Sequence, residues 1–315
     1  MKISAVIPVK NGEKYIFDSA EFLLQNMRDS DEIIYVNDNS TDKTRNGLLK
    51  ISREHRNIRL LDNPGAGIVD ALNYGIKISK NNWIARFDVD DVYSKDRIER
   101  QRQLISEDVA AIFCDYMFID SDGRSLGRIL SPVYDSANLW SLVRSQRTPH
   151  PGVIFSKLVF NRAGKYSVKD FPAEDISLWL RMSNYGKLIS IPEVLLHYKL
   201  HNSSVTWTKK DLVNLKRNEV ISLYFQRQSN IRLISFKSVY QKYKFLPNKS
   251  ERQILAIWDY FAFLNYSNKK IKSLFFLIVY IPKIIFNAKK ILILARLYTE
   301  KKKRSDYKLN LVSSK

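Results

Sequence analysis

Several features are scarce in this sequence of 315 residues. Its one cysteine, Cys114, excludes an internal disulfide framework and fits a reducing compartment. The apolar run Leu274–Ile281 has eight residues, far fewer than the 20 or so that span a bilayer. The apolar stretch at residues 3–9 is too short for a signal peptide and predicts a first β-strand instead. The sequence also shows no internal repeat.

Acidic residues are scarce after residue 200. Residues 201–315 hold 24 Lys and Arg against 6 Asp and Glu, whereas residues 1–200 hold 28 against 26. The net charge of +20 therefore lies almost entirely in the last third of the chain. This asymmetry predicts a near-neutral domain followed by a basic appendage with an anionic partner.

Strand and helix patterns alternate through the first hundred residues, and a polar or acidic cluster follows each strand. This order predicts an α/β fold with a mostly parallel sheet flanked by helices. Ligands of such sheets bind outside the carboxyl ends of the strands, so Lys10-Asn11, Asp38 and Asp88–Asp91 should share one edge. The predicted strands are 3–9, 32–37, 58–62, 83–87, 110–118, 126–130, 150–155, 188–191 and 194–200, and the predicted helices are 13–27, 43–54, 68–79, 97–105, 137–147 and 176–185.

The most informative cluster is the triple acid that follows the predicted strand Trp83–Phe87. Asp88, Asp90 and Asp91 repel one another unless a cation lies among them. Taken alone, a solvated acidic loop or a helix cap at Asp91 would explain them. Lys10-Asn11 and Asp38 are expected at the same edge of the sheet, and this convergence of three clusters favours a binding site.

Seven motifs in order resemble those of the family 2 glycosyltransferases, an inverting group with the GT-A fold that includes enzymes of bacterial polysaccharide and O-antigen biosynthesis. The resemblance covers residues 1–207, the predicted catalytic domain, whereas residues 208–315 match no family and form a predicted basic helical extension. In one departure, Leu72 stands where many members carry an arginine for a phosphate contact. The matching stretches are 5–12, 31–42, 71–76, 87–91, 150–151, 174–181 and 198–201.

The resemblance implies a nucleotide-sugar site, in which Asp38 accepts a ring N–H of uracil. Guanine offers N–H donors too, so this contact alone does not specify UDP. The residues that the resemblance assigns to nucleotide-sugar binding are Pro8, Asn11, Glu13, Asp38, Asn73, Arg86, Asp88, His150 and Lys199.

The resemblance also implies a metal site, because Asp88 and Asp90 match the D-x-D motif of the family. Asp90 would coordinate a cation that bridges the diphosphate, and His201 would complete the shell, with His197 as its competitor. Carboxylate and phosphate oxygens suit a hard ion, so Mn²⁺ or Mg²⁺ is expected. Asp91 is expected to be a helix cap, and Arg86 to pair with these acids or with the phosphate.

The general base that the resemblance implies is Asp175. It precedes a predicted helix and would remove the proton of the acceptor hydroxyl, so that the anomeric configuration inverts. Glu174 is the alternative base, or else the residue that positions the acceptor.

The basic extension has two interpretations. Its short apolar runs and the cluster Lys301–Arg304 suit helices in the membrane interface, with basic residues on anionic headgroups. Alternatively, a helical domain packs its apolar face on the catalytic domain. No nucleic-acid-binding module is recognised, so nucleic acid is not an expected partner.

The sequence therefore predicts an inverting hexosyl- or N-acetylhexosaminyltransferase, cytoplasmic and peripheral at the inner face of the cell membrane. It would move a sugar from a nucleotide diphosphate, expected to be UDP, to a lipid-linked glycan in capsule, exopolysaccharide or O-antigen synthesis. A sugar nucleotidyltransferase is one alternative, but the turn after the first strand lacks the Gly-rich loop of that class. A non-catalytic, membrane-associated scaffold is the other, although the intact set of acids argues against it.

Overall fold

The computed structural model describes residues 1–129, 149–200 and 210–227. Its strands are β1 (Ile3–Val9), β2 (Glu32–Asn37), β3 (Ile58–Asp62), β4 (Trp83–Arg86), β5 (Val92–Tyr93), β6 (Val109–Ile119), β7 (Ser125–Ile129), β8 (Ile154–Ser156) and β9 (Lys187–Lys199). Its α-helices are α1 (Ile16–Asn26), α2 (Thr44–Glu54), α3 (Ile68–Ile78), α4 (Arg97–Arg102), α5 (Lys157–Arg162), α6 (Glu174–Met182) and α7 (Lys210–Arg227).

The nine strands form one mixed sheet in the order β3-β2-β1-β4-β8-β6-β9-β5, with β7 beside β6. Strands β3, β2, β1 and β4 are parallel, which confirms the α/β pattern predicted for this half of the chain. Beyond β4 the sheet mixes directions, since β8 is antiparallel to both β4 and β6 while β6 and β9 are parallel.

In the parallel half, strands β1, β2 and β4 are fully buried, and helices pack closely on the sheet. All seven residues of β1 are buried, as expected for a strand covered on both faces. Gly75 lets α3 approach the sheet, because a Cβ there would lie 2.7 Å from Val6 and 2.8 Å from Val36. This close packing holds the carboxyl ends of these strands in fixed positions along one edge of the sheet.

The second half of the sheet departs from the predicted elements. The strand predicted from residue 150 begins only at Ile154, and the two strands predicted at 188–191 and 194–200 are one strand, β9. Its register against β6 shifts where Ile191 faces Cys114 and Val194 faces Asp115, so a bulge replaces the expected break. Helix α5 and strand β5 were not predicted, and the helix predicted at 137–147 lies outside the described residues.

The chain divides into two compact units, Met1–Tyr224 and Phe225–Lys315. The first extends past residue 207, the predicted end of the catalytic domain, and it includes most of α7. Almost all of the second unit lies outside the described residues, as do the apolar runs and basic clusters of the predicted extension. Within the described part of the chain, the helices are all too short or too polar to cross a membrane.

Candidate active site

The loops after β1 and β2 lie side by side at the carboxyl edge of the sheet. The amide oxygen of Asn11 accepts a hydrogen bond from the main chain of Thr41 at 2.8 Å, and the carboxylate of Glu13 accepts one from Lys43 at 2.7 Å. Asn11 has a φ of 53°, a left-handed conformation that asparagine tolerates. Asn11 and Glu13 therefore join the two loops to each other, while Pro8 is buried within β1.

Asp38 lies directly after β2 and is buried. Its Oδ1 accepts hydrogen bonds from the side chain of Asn63 at 2.7 Å and from the main chain of Gly67 at 2.9 Å. Gly67 has a φ of 87°, which favours glycine at the turn that brings this N–H to the carboxylate. Among the described residues these donors all contact Oδ1, so Oδ2 is the oxygen left for another donor.

Arg86 and Asp88 form an ion pair where β4 ends, which is the first of the two roles expected for Arg86. The side chain of Arg86 is 2% exposed and that of Asp88 27%. Burial lowers the pKa of Arg86, but the charge and hydrogen bond of Asp88, together with Tyr93 and Tyr166, raise it above its usual value, so the guanidinium stays charged. Its Nη1 makes the ion pair with Asp88, whereas its Nε has no hydrogen-bond partner within the part of the chain that the structure describes.

Asp91 is not a helix cap, and that prediction is wrong. Strand β5 follows it directly, and its Oδ1 accepts a hydrogen bond from the main chain of Lys199 at 2.9 Å. Its Oδ2 is buried and has no hydrogen-bond partner among the described residues. Burial, then Asp88 and Asp90, raise the pKa of Asp91 well above its usual range. We call Asp88, Asp90 and Asp91 the strand-end acids.

The strand-end acids have the chemistry of a divalent-cation site. They supply only oxygen ligands, their charges repel one another, and the buried Oδ2 of Asp91 lacks a partner, all of which a hard cation would relieve. Within residues 1–129, 149–200 and 210–227, no three His, Cys, Asp or Glu side chains gather closely enough to form a metal shell alone. His201, the third predicted ligand, lies outside these residues.

The end of β9 lies beside the strand-end acids. The ammonium of Lys199 lies 6.0 Å from the centre of the Tyr15 ring, so its charge is held near the loop after β1. His197 precedes it by two residues and faces Val92 of β5, and its Nδ1 is buried without a hydrogen-bond partner among the described residues.

Glu174 and Asp175 open helix α6, and we call them the helix-start acids. Burial, then the charge of Asp175, raise the pKa of Glu174 to about 8. Burial also raises the pKa of Asp175, but the main-chain N–H of Ile176 and the guanidinium of Arg217 oppose that rise. Near neutral pH Glu174 is therefore mainly protonated, and Asp175 is the better proton acceptor of the two.

His150 and Tyr166 lie against the helix-start acids. His150 Nε2 is 2.9 Å from the hydroxyl of Tyr166, and its Nδ1 is 3.8 Å from Glu174. Burial, then the charge of Arg86, lower the pKa of His150 well below its usual range, so this imidazole is neutral. Asn73 contacts the same tyrosine: its amide donates to the main-chain oxygen of Tyr166 at 3.0 Å and accepts from its N–H at 3.2 Å.

Arg86 is the group that both acidic clusters share. Besides its ion pair with Asp88, its positive charge lowers the pKa of Asp91, Glu174 and Asp175. Because charge interactions weaken with distance, one guanidinium that affects all of these carboxyls places the two clusters around it. The strand-end acids and the helix-start acids therefore belong to one site at the carboxyl edge of the sheet.

Two residues of this site were missed by the sequence analysis. Tyr166 belongs to no motif, and no pattern in the sequence links it to His150 or Asn73. Arg217 lies beyond the residues that carry the family resemblance, where the only signal was a helical pattern of unspecified orientation. The predicted contacts of Pro8, Asn11, Glu13, Asn73 and Lys199 with a nucleotide stay predictions, although the side-chain hydrogen bonds of Asn11, Glu13 and Asn73 are partly or wholly made within the protein.

Comparisons with known proteins agree with this architecture. The sequence model described as "Glycosyl transferase family 2" matches residues 4–158. An uncharacterized glycosyltransferase of Haemophilus influenzae is 27% identical over 231 residues, which cover 69% of this chain and 70% of that protein. The glycosyltransferase TuaG of Bacillus subtilis, provisionally assigned to teichuronic acid biosynthesis, is 26% identical over 217 residues, 66% of this chain and 82% of TuaG.

Solved structures share the fold at low sequence identity. TarS of S. aureus in complex with UDP-GlcNAc has a TM-score of 0.58 and 16% identity, covering 84% of this chain and 81% of that one. The mannosyltransferase PcManGT of Pyrobaculum calidifontis, in complex with GDP-Man and Mn²⁺, has a TM-score of 0.54 and 15% identity, covering 93% and 85%. From the family match, the relatives and the shared GT-A fold together, we conclude that this chain contains a glycosyl transferase family 2 domain and is a glycosyltransferase.

Proposed function

We propose that this protein transfers a sugar with inversion from a nucleotide diphosphate to a hydroxyl of a glycan. The observation that carries this proposal is the arrangement of the strand-end acids and the helix-start acids around Arg86. The first cluster suits the departing diphosphate and its cation, and the second suits the attacking hydroxyl. Such a reaction needs both at once, since stabilisation of the leaving group and removal of a proton act on the same transition state.

In this proposal Asp175 is the general base. The acceptor oxygen forms a bond with the anomeric carbon as the bond from that carbon to the diphosphate breaks and its electron pair leaves with the diphosphate. Asp175 takes the hydroxyl proton. Glu174, with its pKa raised to about 8, carries a proton near neutral pH and donates a hydrogen bond that positions the acceptor or the sugar.

Asp88 and Asp90 would hold the divalent cation, Mn²⁺ or Mg²⁺, with His201 as a further proposed ligand. When bound, the cation would neutralise the growing charge of the diphosphate. Arg86 and Lys199 add protein charges on the same side, and the buried Nε–H of Arg86, which has no hydrogen-bond partner among the described residues, is a donor that a phosphate oxygen would satisfy.

For the nucleotide we propose UDP. The support is the position of Asp38, whose Oδ2 is left for a ring N–H, together with the fold shared with TarS, which binds UDP-GlcNAc. The mannosyltransferase with the same fold binds GDP-Man, so guanine is the competitor to be tested.

A screen of donor hydrolysis tests the function and the nucleotide together. Purified protein with Mn²⁺ is incubated with UDP-, GDP- and dTDP-sugars, and released nucleoside diphosphate is measured. We expect slow release from one UDP-sugar, and none without the cation. Release from GDP-mannose alone would reject UDP, and release of a nucleoside monophosphate would reject sugar transfer from a diphosphate altogether.

We further propose a lipid-linked glycan as acceptor, at the inner face of the membrane in surface polysaccharide synthesis. The support is the excess of 18 positive charges in residues 201–315 and the polysaccharide setting of relatives such as TuaG. Deletion of residues 270–315 should release the protein from vesicles that contain anionic lipid. Unchanged partition after this deletion would reject membrane binding through the extension.

A further inference from the structure

Helix α7 presents one packed stripe to the first compact unit. Val213, Val220 and Ile221 on this stripe are at most 7% exposed, and Tyr224 and Arg217 are half-buried. These five positions follow the spacing i, i+4, i+7, i+8 and i+11, which is one face of a helix. Arg217 therefore lies in the middle of the face that packs on the protein, not on the face that meets solvent.

The contacts of Tyr224 fix how α7 lies along α6. Its hydroxyl donates to the side chain of Asn184 at 2.8 Å and lies 3.4 Å from the hydroxyl of Ser183. Both residues follow the C-terminal end of α6. Asp175 lies ~12 Å back along that helix from Ser183, and Arg217 lies ~10 Å back along α7 from Tyr224, at 1.5 Å per residue. The two offsets match, and the charge of Arg217 acts on Asp175, so the two helices run in the same direction and Arg217 lies at the end of α6 that carries Asp175.

The charges agree with this placement. Arg217 lowers the pKa of Asp175 against the rise that burial causes, and Arg86 of β4 lowers it too. Among the described residues, the titratable groups near Asp175 also include its neighbour Glu174 and the hydroxyl of Tyr166, whose pKa burial raises. The carboxylate of Asp175 is thus stabilised by two guanidinium groups, one on β4 and one on α7.

We propose that Arg217 is a positioning residue for Asp175, and that α7 holds the carboxylate ionised and aimed at the acceptor. The inference rests on the proposed function, in which Asp175 is the base. It places a residue needed for activity beyond both the family match, which ends at residue 158, and the predicted catalytic domain, which ends at residue 207.

A titration of Asp175 in the protein without ligand tests the coupling directly. The chain is labelled with ¹³C at aspartate carboxyls, and the Asp175 signal is assigned by its loss in Asp175→Asn. In Arg217→Gln we expect the pKa of Asp175 to rise by about one unit, as loss of a nearby opposite charge predicts. The matched control is Lys216→Gln, which removes the same charge one position away, from a side chain paired with Glu219 at 2.9 Å. An equal shift in both variants, or none in either, would overturn the inference.

A pH profile then separates the coupling from the proposed reaction. In Arg217→Gln the acidic limb of kcat/KM for transfer should move to higher pH by the same amount, and Arg217→Lys should restore most of it. If the wild type transfers no sugar, the proposed function fails, whereas the titration still decides the coupling. If Arg217→Gln does not fold, the same substitution is made in Asp175→Asn: recovery of folding supports an action through Asp175, and the same failure there overturns it.

Discussion

The strand-end acids and the helix-start acids are both acidic clusters beside Arg86, yet their surroundings set them apart. The first cluster lies where a parallel strand ends, and Asp88 is ion-paired and partly open to solvent. The second lies at the start of a helix covered by aromatic side chains, where burial raises the pKa of both carboxyls. Asp88 of the first cluster is thus held as a carboxylate paired with Arg86, whereas Glu174 of the second cluster holds a proton near neutral pH.

This difference shows how one edge of a sheet can act on both the leaving diphosphate and the attacking hydroxyl of a sugar transfer. A charged diphosphate needs fixed opposite charge, whereas a neutral hydroxyl needs a base with a pKa nearer to neutral. Arg86 lies between the two and limits how far the helix-start acids become neutral. Separate substitutions in the two clusters should therefore fail in different ways.

The largest effect is expected from Asp175→Asn, which removes the proposed base and keeps the shape of the side chain. Transfer should fall by about 10³-fold, within the usual range for loss of general-base catalysis, while the affinity for UDP stays unchanged. Sugar transfer and calorimetric UDP binding measure the two quantities. Asp108→Asn, at an exposed surface pair with Lys187, is the control. Full activity of Asp175→Asn would move the base to Glu174.

Asp90→Ala should affect the strand-end acids, which are proposed to act on the leaving group. Because the leaving group would lose its cation ligand, donor turnover should fall by about 10²-fold, and UDP with Mn²⁺ should no longer raise the melting temperature. In the wild type, ligand at 100 times its Kd should add about 2.7 kcal/mol of stability. Asp122→Ala removes an exposed acid in the β6–β7 turn and serves as control. Equal thermal shifts in Asp90→Ala and wild type would remove Asp90 from the metal site.

The pH dependence of stability should report the raised pKa of Glu174. Its pKa is about 8 when folded, against 4.5 ordinarily, so the folded state keeps a proton that the unfolded state loses. This contribution is complete below pH 4.5 and is lost as the pH rises through 8. Glu174→Gln should therefore remove about 3.5 kcal/mol of the decline in unfolding free energy between pH 5 and 8, since one pKa unit equals about 1.4 kcal/mol. Urea unfolding at a series of pH values measures it, and an unchanged slope would contradict the raised pKa.

The same contrast explains how far the sequence could predict the site. The parallel half follows from local patterns, because each strand there is a continuous apolar run that ends at a polar cluster, as with Asp38 and Asp88. The helix-start acids were found only through the family resemblance. Their environment depends on Tyr166 and Arg217, which reach them through tertiary packing that no spacing in the sequence encodes. Asp91 was misassigned because its partner, the main-chain N–H of Lys199, lies 108 residues away.

The smallest effect concerns Asn73, which the resemblance assigned to the nucleotide. Both ends of its amide contact the main chain of Tyr166, so Asn73→Ala should lower the free energy of unfolding by about 1 kcal/mol through two lost hydrogen bonds. The affinity for UDP should not change, because the loss falls on the side of the site that holds His150 and the helix-start acids. Denaturant unfolding and UDP calorimetry on the same preparation measure both quantities. A tenfold loss of UDP affinity with unchanged stability would instead show that Asn73 of α3 contacts the nucleotide. The nucleotide site would then include α3 as well as the strand-end acids.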